Sequence, residues 1–255
     1  MKKIVVSNDD GITSKGIDTL VRIASKFGYV VVVAPNKPQS GMGHAITIGE
    51  TLRLEKNHLW DTIGVEAYEC SGTPADCVKL AKSYVLQDNK PDLIVSGINH
   101  GSNTSISVLY SGTMSAAIEG ALEGIPSIGF SLCDWSHEAE MNHIEPFVEN
   151  IIKTVLEKGL KTGIALNVNM PSFKSGVIKG VKVCRQANAR WVEKFDERID
   201  PNGRPYFWMG GEFVDENPTI EEDEYAVNDN YISIVPCQYD LTDYSYKEEL
   251  KKYFE

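Results

Sequence analysis

Basic residues are scarce in this chain of 255 residues, which has 25 lysines and arginines against 36 aspartates and glutamates. The formal net charge at pH 7 is therefore -11. General binding to nucleic acid or to an anionic membrane depends on Lys and Arg neutralising phosphate charge, so this balance argues against both. We expect no nucleic-acid duplex and no membrane as partner, and any anionic substrate must be captured by a local arrangement of groups.

Long apolar runs are also missing. No uninterrupted apolar stretch reaches the roughly 20 residues that a membrane-spanning helix needs, and the run at 4–6 is too short for the core of a secretion signal. The five cysteines are widely scattered and form no close pairs, which excludes a spaced zinc or redox motif and indicates reduced thiols. We therefore predict a soluble, cytoplasmic protein.

The first part of the chain alternates between buried-strand and helix patterns. Residues 3–7 and 29–34 are apolar runs, and between them residues 16–27 place apolar side chains at helical spacing, which predicts a βαβ unit. The pattern continues with helices at 73–86, 113–123 and 145–158 and strands at 92–96, 125–131 and 164–168. Continuous apolar strands between helices indicate a parallel sheet covered on both faces, so we predict an α/β fold, a Rossmann-like three-layer sandwich.

The pattern changes after residue 171. Strands without intervening helices are predicted at 177–184, 190–195, 204–209 and 231–235. We expect residues 1–171 to form the catalytic core and 172–255 to form a β-rich, antiparallel extension that completes one domain. The extension either pairs between subunits or folds on its own chain. The acidic run at 221–224 is interpreted as a solvated loop.

Two adjacent carboxylates, Asp9 and Asp10, follow the first predicted strand. This position is the carboxyl edge of a parallel sheet, where open α/β folds bind their ligands. Neighbouring side chains on a strand point to opposite faces, so both can reach one ion only if the backbone turns, which Gly11 permits. The alternative is that the two aspartates only cap the following helix.

The loop after the second strand contains Ser40, Gly41 and Gly43 and is followed by His44. The hydroxyl of Ser40 could bind a cation, and the two glycines let backbone N–H groups of the loop approach an anion closely. The glycine spacing is not a dinucleotide fingerprint, because those glycines would have to follow the first strand and open a helix. We interpret His44 as a structural hydrogen-bonding residue and not as a general base.

A third group of polar residues follows the strand at 92–96. Asn99 offers a carbonyl oxygen to a hard cation, and Ser111, Gly112 and Thr113 at a helix start would seat a phosphate. Helix capping is the simpler role for Ser111 and Thr113, and both roles can coexist. The candidate ligands are all oxygen atoms, which favours Mg²⁺ or Mn²⁺ over Zn²⁺.

Five short blocks occur in the order and form typical of one family. They are SNDDGI at 7–12, QSG at 39–41, SGTPADCV at 71–78, SGINHGSN at 96–103 and YSGT at 110–113. Together with YAV at 225–227 and YISI at 231–234, they make the chain resemble the SurE family of survival-protein nucleotidases, and the likeness covers nearly the whole chain.

The resemblance implies a 5′-nucleotidase that acts on nucleoside monophosphates, one divalent cation, and a homodimer or homotetramer whose carboxyl-terminal elements exchange between subunits. It implies metal ligands at Asp9, Asp10, Ser40 and Asn99. It also implies phosphate contacts at Asn103, Ser111, Gly112 and Thr113, and we add Asn8 and Gly41 to the predicted substrate-binding set.

The predicted mechanism is direct attack on phosphorus by a water activated by the metal, with Asp9 or Asp10 taking the proton. Phosphatases with an aspartyl nucleophile separate their two aspartates by one residue, whereas here they are adjacent. Two further alternatives are a non-catalytic nucleotide- or phosphate-binding module and a phosphatase of broader phosphomonoester or polyphosphate specificity.

Overall fold

A nine-stranded mixed sheet forms the centre of the protein in the computed structural model, which describes residues 1–87 and 89–255. The strands of the chain are β1 (Lys2–Ser7), β2 (Gly28–Pro35), β3 (Leu54–Asn57), β4 (Glu66–Cys70), β5 (Leu93–His100), β6 (Ser127–Cys133), β7 (Ile164–Pro171), β8 (Gly180–Val183), β9 (Arg190–Ile199), β10 (Pro205–Val214) and β11 (Tyr231–Gln238). The α-helices are α1 (Lys15–Ala24), α2 (Pro74–Leu80), α3 (Gly112–Leu122), α4 (Glu145–Lys158), α5 (Asp223–Asn228) and α6 (Tyr244–Phe254).

The strand order in the sheet is β3-β4-β2-β1-β5-β6-β7-β11-β8. The strands from β4 to β7 in this order are parallel, β3 is antiparallel to β4, and β11 is antiparallel to β7 and parallel to β8. The predicted α/β class with a mostly parallel sheet is confirmed. Within the described residues, no helix is both long and apolar enough to cross a membrane.

Alternation along the buried strands distributes side chains between two helical layers. Ile4 and Val6 of β1 belong to the core cluster that includes α1 and α4, whereas Val5 belongs to the cluster that includes α2 and α3. Successive side chains of a strand point to opposite faces, so a strand with helices on both sides must be apolar throughout. The sheet is therefore covered on both faces, as the continuous apolar runs predicted.

The carboxyl-terminal part both extends the main sheet and forms a separate hairpin. Strands β8 and β11 join the main sheet, while β9 and β10 pair antiparallel with each other from Arg190 opposite Val214 to Ile199 opposite Pro205. The expectation of strands without helices was wrong, because α5 lies between β10 and β11 and α6 follows β11. The division of the chain at residue 171 stays a prediction.

The acidic run at 221–224 is not a solvated loop. The side chains of Glu222 and Asp223 are buried, and α5 begins at Asp223. The carboxylate of Asp223 accepts hydrogen bonds from the backbone N–H groups of Ser105 (3.0 Å) and Ala187 (2.9 Å). Buried acidic groups are tolerated where such bonds satisfy them, which the acidic composition of the run did not reveal.

Asp76 at the start of α2 fixes the segment that follows the glycine loop. Its carboxylate accepts from the backbone N–H (3.1 Å) and hydroxyl (2.6 Å) of Thr47 and from the backbone N–H of Thr73 (2.9 Å). Burial would raise the pKa of Asp76, but these hydrogen bonds outweigh it and hold the pKa below its usual value. Thr73 in turn donates to Ala45 O (2.8 Å), so the whole turn is tied to α2.

We expect Asp76→Asn to lower the free energy of unfolding by about 2 kcal/mol, because hydrogen bonds to a charged acceptor are replaced by weaker ones. The lowered pKa means that this stabilisation is present at neutral pH and is lost as the pH falls below the ordinary range of an aspartate. Thermal unfolding of the two proteins at pH 7 and at pH 3 measures the effect. An unchanged melting temperature at pH 7 would contradict it.

Candidate active site and metal centre

The turn after β1 carries Asp9 and Asp10 into the site. Gly11 has a φ of +91°, and the side-chain amide of Asn8 donates to Gly11 O and to Ser14 Oγ, both at 2.9 Å. Ser14 is the N-cap of α1, accepting from the backbone N–H of Ile17. The two aspartates are therefore not the residues that cap the helix, which leaves their carboxylates for another role.

Asp9 is buried between the end of β1 and the start of α3. Burial and the neighbouring charge of Asp10 raise the pKa of Asp9 to about 6, although hydrogen bonds from Thr113 act in the opposite direction. The hydroxyl of Thr113 donates to Asp9 Oδ1. Gly112 packs so closely that a Cβ there would lie 2.6 Å from Asp9 Cβ and 2.8 Å from Asp9 Oδ2. The carboxylate thus touches the helix start predicted to seat a phosphate.

Asp10 is joined to the end of β5. Its Oδ2 accepts from the backbone N–H of His100 at 3.1 Å. Burial raises the pKa of Asp10, and His100 and His137 partly oppose the rise. Among the residues that the structure describes, neither Asp9 nor Asp10 forms an ion pair with a Lys, Arg or His side chain. Two adjacent, largely buried carboxylates without a protein cation are suited to a bound metal cation.

Asn99 lies at the end of β5, next to the contact between His100 and Asp10. Its side-chain nitrogen donates to Gly101 O at 2.8 Å, which fixes the amide plane and turns the carbonyl oxygen away from that bond. The residue is buried, with 8% of its surface exposed. A fixed neutral oxygen has the chemistry of a hard-cation ligand, and the metal role of Asn99 stays a prediction.

The glycine loop packs against the same turn through its backbone. Gln39 N–H donates to Asp9 O at 2.7 Å, and Gly43 N–H donates to Tyr110 O at 3.0 Å. Ser40 and Gly41 lie between these two bonds and are exposed. The structure therefore brings the Ser40 loop to Asp9, but within the described chain it shows no hydrogen bond from the Ser40 hydroxyl, so a ligand role for Ser40 stays a prediction.

The start of α3 combines helix capping with contact to the carboxylates. Ser111 is the N-cap, and its hydroxyl accepts from the backbone N–H of Met114 at 3.0 Å. The helix that follows has eleven residues, and its aligned peptide dipoles place partial positive charge at Gly112 and Thr113. The capping role is confirmed for Ser111, and the contact of Thr113 with Asp9 was not visible in the sequence.

Asn103 is held in a buried polar network by a serine of β6 and two asparagines of β7. Its backbone N–H donates to Asn169 Oδ1 and its side-chain nitrogen to Ser131 Oγ, both at 2.8 Å, while Asn167 donates to Asn103 O at 2.8 Å. One hydrogen of the side-chain nitrogen is therefore committed to Ser131, and the other remains for a ligand. Its phosphate contact stays a prediction.

A family model described as "Survival protein SurE" matches residues 4–193. The chain belongs to the SurE family. It is similar to a 5′-nucleotidase SurE of Cytophaga hutchinsonii, with 63% identity over 239 residues that cover 94% of this chain and 92% of the relative. A 5′-nucleotidase SurE of Christiangramia forsetii is 53% identical over 250 residues, covering 98% and 96% respectively. The crystal structure of the SurE protein from Aquifex aeolicus has a TM-score of 0.84 at 37% identity and covers 99% of this chain and 100% of that chain.

The oxygen set of this SurE-family site fits a hard divalent cation. Among residues 1–87 and 89–255, no group of three or more His, Cys, Asp or Glu side chains is arranged to hold a metal. A shared ion would therefore take two carboxylates, Asp9 and Asp10, and neutral oxygens such as that of Asn99. Such a set suits Mg²⁺ or Mn²⁺ and lacks the sulfur and imidazole groups typical of zinc sites.

Several residues that support the SurE-family site were missed in the sequence. Asn167 and Asn169 alternate on β7 and therefore share a face, a signal that could have suggested a paired polar role. Asp223 supports the segment after Asn103 through its bond to Ser105, and Glu224 accepts from the hydroxyl of Thr104. Because Asp223 lies more than a hundred residues from Ser105 in the chain, only the fold reveals the contact.

Proposed function

We propose that this SurE-family chain is a divalent-metal-dependent 5′-nucleotidase that hydrolyses nucleoside 5′-monophosphates to nucleoside and phosphate. The contact between Asp9 and the start of α3 carries the proposal, because it places a carboxylate suited to a metal within one hydrogen bond of a helix terminus suited to a phosphate. The relatives from Cytophaga hutchinsonii and Christiangramia forsetii, both named 5′-nucleotidase SurE, support the choice of substrate.

The metal ligands are Asp9, Asp10, Ser40 and Asn99, and the cation is Mg²⁺ or Mn²⁺. A bound divalent cation supplies polarisation of a phosphoryl oxygen and lowers the pKa of a water. Turnover measurements test this assignment. Turnover should occur with Mg²⁺ and with Mn²⁺, and it should be lost when the carboxylate of Asp9 or Asp10 is removed.

The chain's own groups provide binding, orientation and proton transfer. The N–H groups at Gly112 and Thr113, with those of the Gly41 loop, bind the equatorial oxygens of the phosphoryl group, while Asn8 and Asn103 complete the predicted substrate set. Either Asp9 or Asp10 accepts the proton of the attacking water. The oxygen of that water forms the new bond to phosphorus, the bond from phosphorus to the 5′ oxygen breaks, and the proton accepted by the aspartate passes to the 5′ oxygen of the nucleoside.

The hairpin of β9 and β10 supports a homodimer or homotetramer. Nearly all of its residues are exposed, although many are large and apolar. These exposed side chains include Val192, Phe195, Ile199, Phe207, Trp208 and Met209. A monomer that leaves such a surface in water is unusual, so we propose that a second copy covers it in the cytoplasm. Light scattering, which gives the mass of the assembly in solution, tests the subunit count.

We expect the purified protein to release phosphate from a panel of nucleoside 5′-monophosphates with Mg²⁺ or Mn²⁺ present. A chelator should stop the release, and addition of either ion should restore it, because the carboxylates alone cannot polarise the phosphoryl group. A single turnover in ¹⁸O-labelled water should place the label in phosphate, and no phosphoenzyme should be trapped.

The same panel separates the alternatives. Nucleotide binding without phosphate release would establish the non-catalytic module and reject the proposal. Equal rates on nucleoside monophosphates, simple phosphomonoesters and polyphosphate would show a broader phosphatase. A trapped aspartyl phosphate would contradict direct attack by water.

A further inference from the structure

A cleft of about 560 Å³ opens beside the start of α3, a volume within the range of roughly 300–1,000 Å³ found for small-molecule sites. Ser111, Ser115 and Ile118 line it and lie on one face of the helix, because residues three and four apart are neighbours on a helix surface. Gly112 and Thr113 instead contact Asp9. One helix terminus therefore faces the carboxylates on one side and this cleft on the other.

The lining of the cleft is mostly apolar with a few polar groups. Leu109 and Ile118 contribute apolar surface near α3, and Pro236 contributes it from β11. Gln238 at the end of β11 and Arg185, which follows β8, add hydrogen-bonding groups. A site with apolar walls and a few orienting polar groups is typical for a heterocyclic ligand with a polar edge, and it is not what a second phosphate or another small anion requires.

Two nitrogen-bearing side chains of the lining, those of His44 and Arg185, are each anchored to a buried carboxylate. His44 Nε2 lies 3.0 Å from Glu119 Oε2, and the other oxygen of Glu119 accepts from Lys79 at 2.5 Å. Arg185, another lining residue, lies 2.7 Å from Glu222 Oε1. The side chains of Glu119 and Glu222 are 4% and 2% exposed, so both are rigid anchors inside the protein.

The bond to Glu119 determines what His44 can offer to a ligand. A carboxylate only accepts hydrogen bonds, so Nε2 must carry the hydrogen that joins it to Glu119. Nδ1 is then the ring nitrogen that can bind another molecule, and the hydrogen bond of His44 within the described part of the chain is made by Nε2. His44 is also one of the residues that line the cleft.

We propose that this cleft binds the nucleoside part of the substrate and that His44 is a specificity-determining residue, contacting the nucleoside through Nδ1. The inference rests on the proposed function, since a phosphate seated at the start of α3 leaves the attached nucleoside to extend along Ser111 into the adjoining cleft. Apolar walls pack against the base, and the anchored His44 and Arg185 bind its polar atoms or those of the ribose. The chain thereby selects nucleotides over simpler phosphomonoesters.

The test compares a nucleoside 5′-monophosphate with p-nitrophenyl phosphate, a phosphomonoester that has neither ribose nor a purine or pyrimidine base. We expect His44→Ala to raise KM for the nucleotide about five- to tenfold, because one hydrogen bond to the nucleoside is lost. The kcat for the nucleotide should change by less than about twofold. The kinetic constants for p-nitrophenyl phosphate should change by less than about twofold. His58→Ala is the matched control, because His58 is exposed, pairs with Asp61 and lies outside the cleft.

Two conservative variants distinguish contact with the nucleoside from support of the loop. An asparagine amide occupies approximately the place of Nδ1, whereas a glutamine amide occupies that of Nε2. His44→Asn should therefore recover part of the lost nucleotide affinity, and His44→Gln, which can still reach Glu119, should not. A purely structural role would give the opposite order and would overturn the inference.

The remaining outcomes separate this inference from the proposed function. If the unmodified protein releases phosphate from nucleotides but His44→Ala affects both substrates equally, or neither, the nucleoside cleft is wrong and the nucleotidase stands. If the unmodified protein releases no phosphate from any nucleoside monophosphate, the proposed function fails first and the inference falls with it.

Discussion

Asp9→Asn is expected to lower kcat/KM for nucleoside monophosphates by about 10³-fold or more. Several kcal/mol of transition-state stabilisation are attributed to a catalytic metal, and each 1.4 kcal/mol corresponds to about tenfold in rate. An asparagine oxygen keeps the shape of Asp9 and can still accept the hydroxyl of Thr113. It removes a charge proposed to bind the cation and one of the two groups proposed to take the proton, so turnover should be lost while the fold is kept.

The same substitution is expected to stabilise the chelator-treated protein. The pKa of Asp9 is about 6 in the folded chain against 3.8 for the ordinary value. The folded state therefore binds the proton more tightly, and stability falls as the pH rises from about 4 to about 6. At pH 7 the ionised carboxylate costs on the order of 2 to 3 kcal/mol, which Asp9→Asn relieves, raising the melting temperature by about 5 °C or more.

Asp76→Asn is the matched control, because it should change the stability in the opposite direction to Asp9→Asn. Both aspartates are buried, but the pKa of Asp76 is lowered and that of Asp9 is raised. In chelator at pH 7, the melting temperature of Asp9→Asn should therefore lie above that of the unmodified protein, and the melting temperature of Asp76→Asn should lie below it. Near-normal rates for Asp9→Asn with Mg²⁺ or Mn²⁺ would reject the site assignment, and a lower melting temperature for it in chelator would reject the electrostatic argument.

Gly112→Ala is expected to reduce kcat/KM by about 10²-fold. The new Cβ would lie within 3 Å of both the Cβ and the Oδ2 of Asp9, closer than packed atoms approach, so the carboxylate must move. A displacement of about 1 Å in a catalytic group can cost two orders of magnitude in rate. Overpacking should also lower the free energy of unfolding by about 1 to 3 kcal/mol.

Gly120→Ala separates the displaced carboxylate from simple overpacking. It places the same methyl group on the same helix, where it would lie 2.3 Å from Ser127 Oγ and 2.7 Å from Ile94 Cδ1, away from Asp9. We expect a comparable loss of stability with kcat/KM per folded molecule nearly unchanged. If both variants lose activity in proportion to their loss of stability, Gly112 has no special relation to the site.

The central strands could be predicted because their sequences reflect their burial. The apolar runs at 4–6 and 93–95 are buried on both faces, so composition alone indicates strands, and the polar residues after them mark the carboxyl edge of the sheet. The pairing of β1 with β5 then brings Asp10 to His100, as parallel strands require. The placement of these polar residues at one edge of the sheet therefore followed from the local sequence.

The edge of the sheet and the last helices could not be predicted in this way. β3 is short, polar and partly exposed, so the sequence LEKN has neither a strand period nor an apolar run. α5 begins inside an acidic run whose Asp223 is buried by contacts with Ser105 and Ala187. Contacts of this kind arise from tertiary packing between residues that are distant in the chain, so the local sequence does not predict them.

The site's own geometry was hidden for the same reason. The sequence indicated a phosphate seat at residues 111–113 and carboxylates at Asp9 and Asp10, but it did not show that Gly112 packs directly against Asp9. The link from His44 to Glu119 likewise joins residues 75 positions apart. Distances of this kind depend on how two elements pack, which periodicity and composition do not encode.

The position of β11 between β7 and β8 has a consequence for biosynthesis. Both neighbours leave the ribosome before it, and in the described residues β8 meets the main sheet only through β11. Until that late strand emerges, the nascent chain keeps an open β7 edge, which is a template for pairing with other chains. A polypeptide interrupted ahead of residue 231 is therefore a client for chaperones and proteases, even though every residue proposed to bind the metal has already been translated.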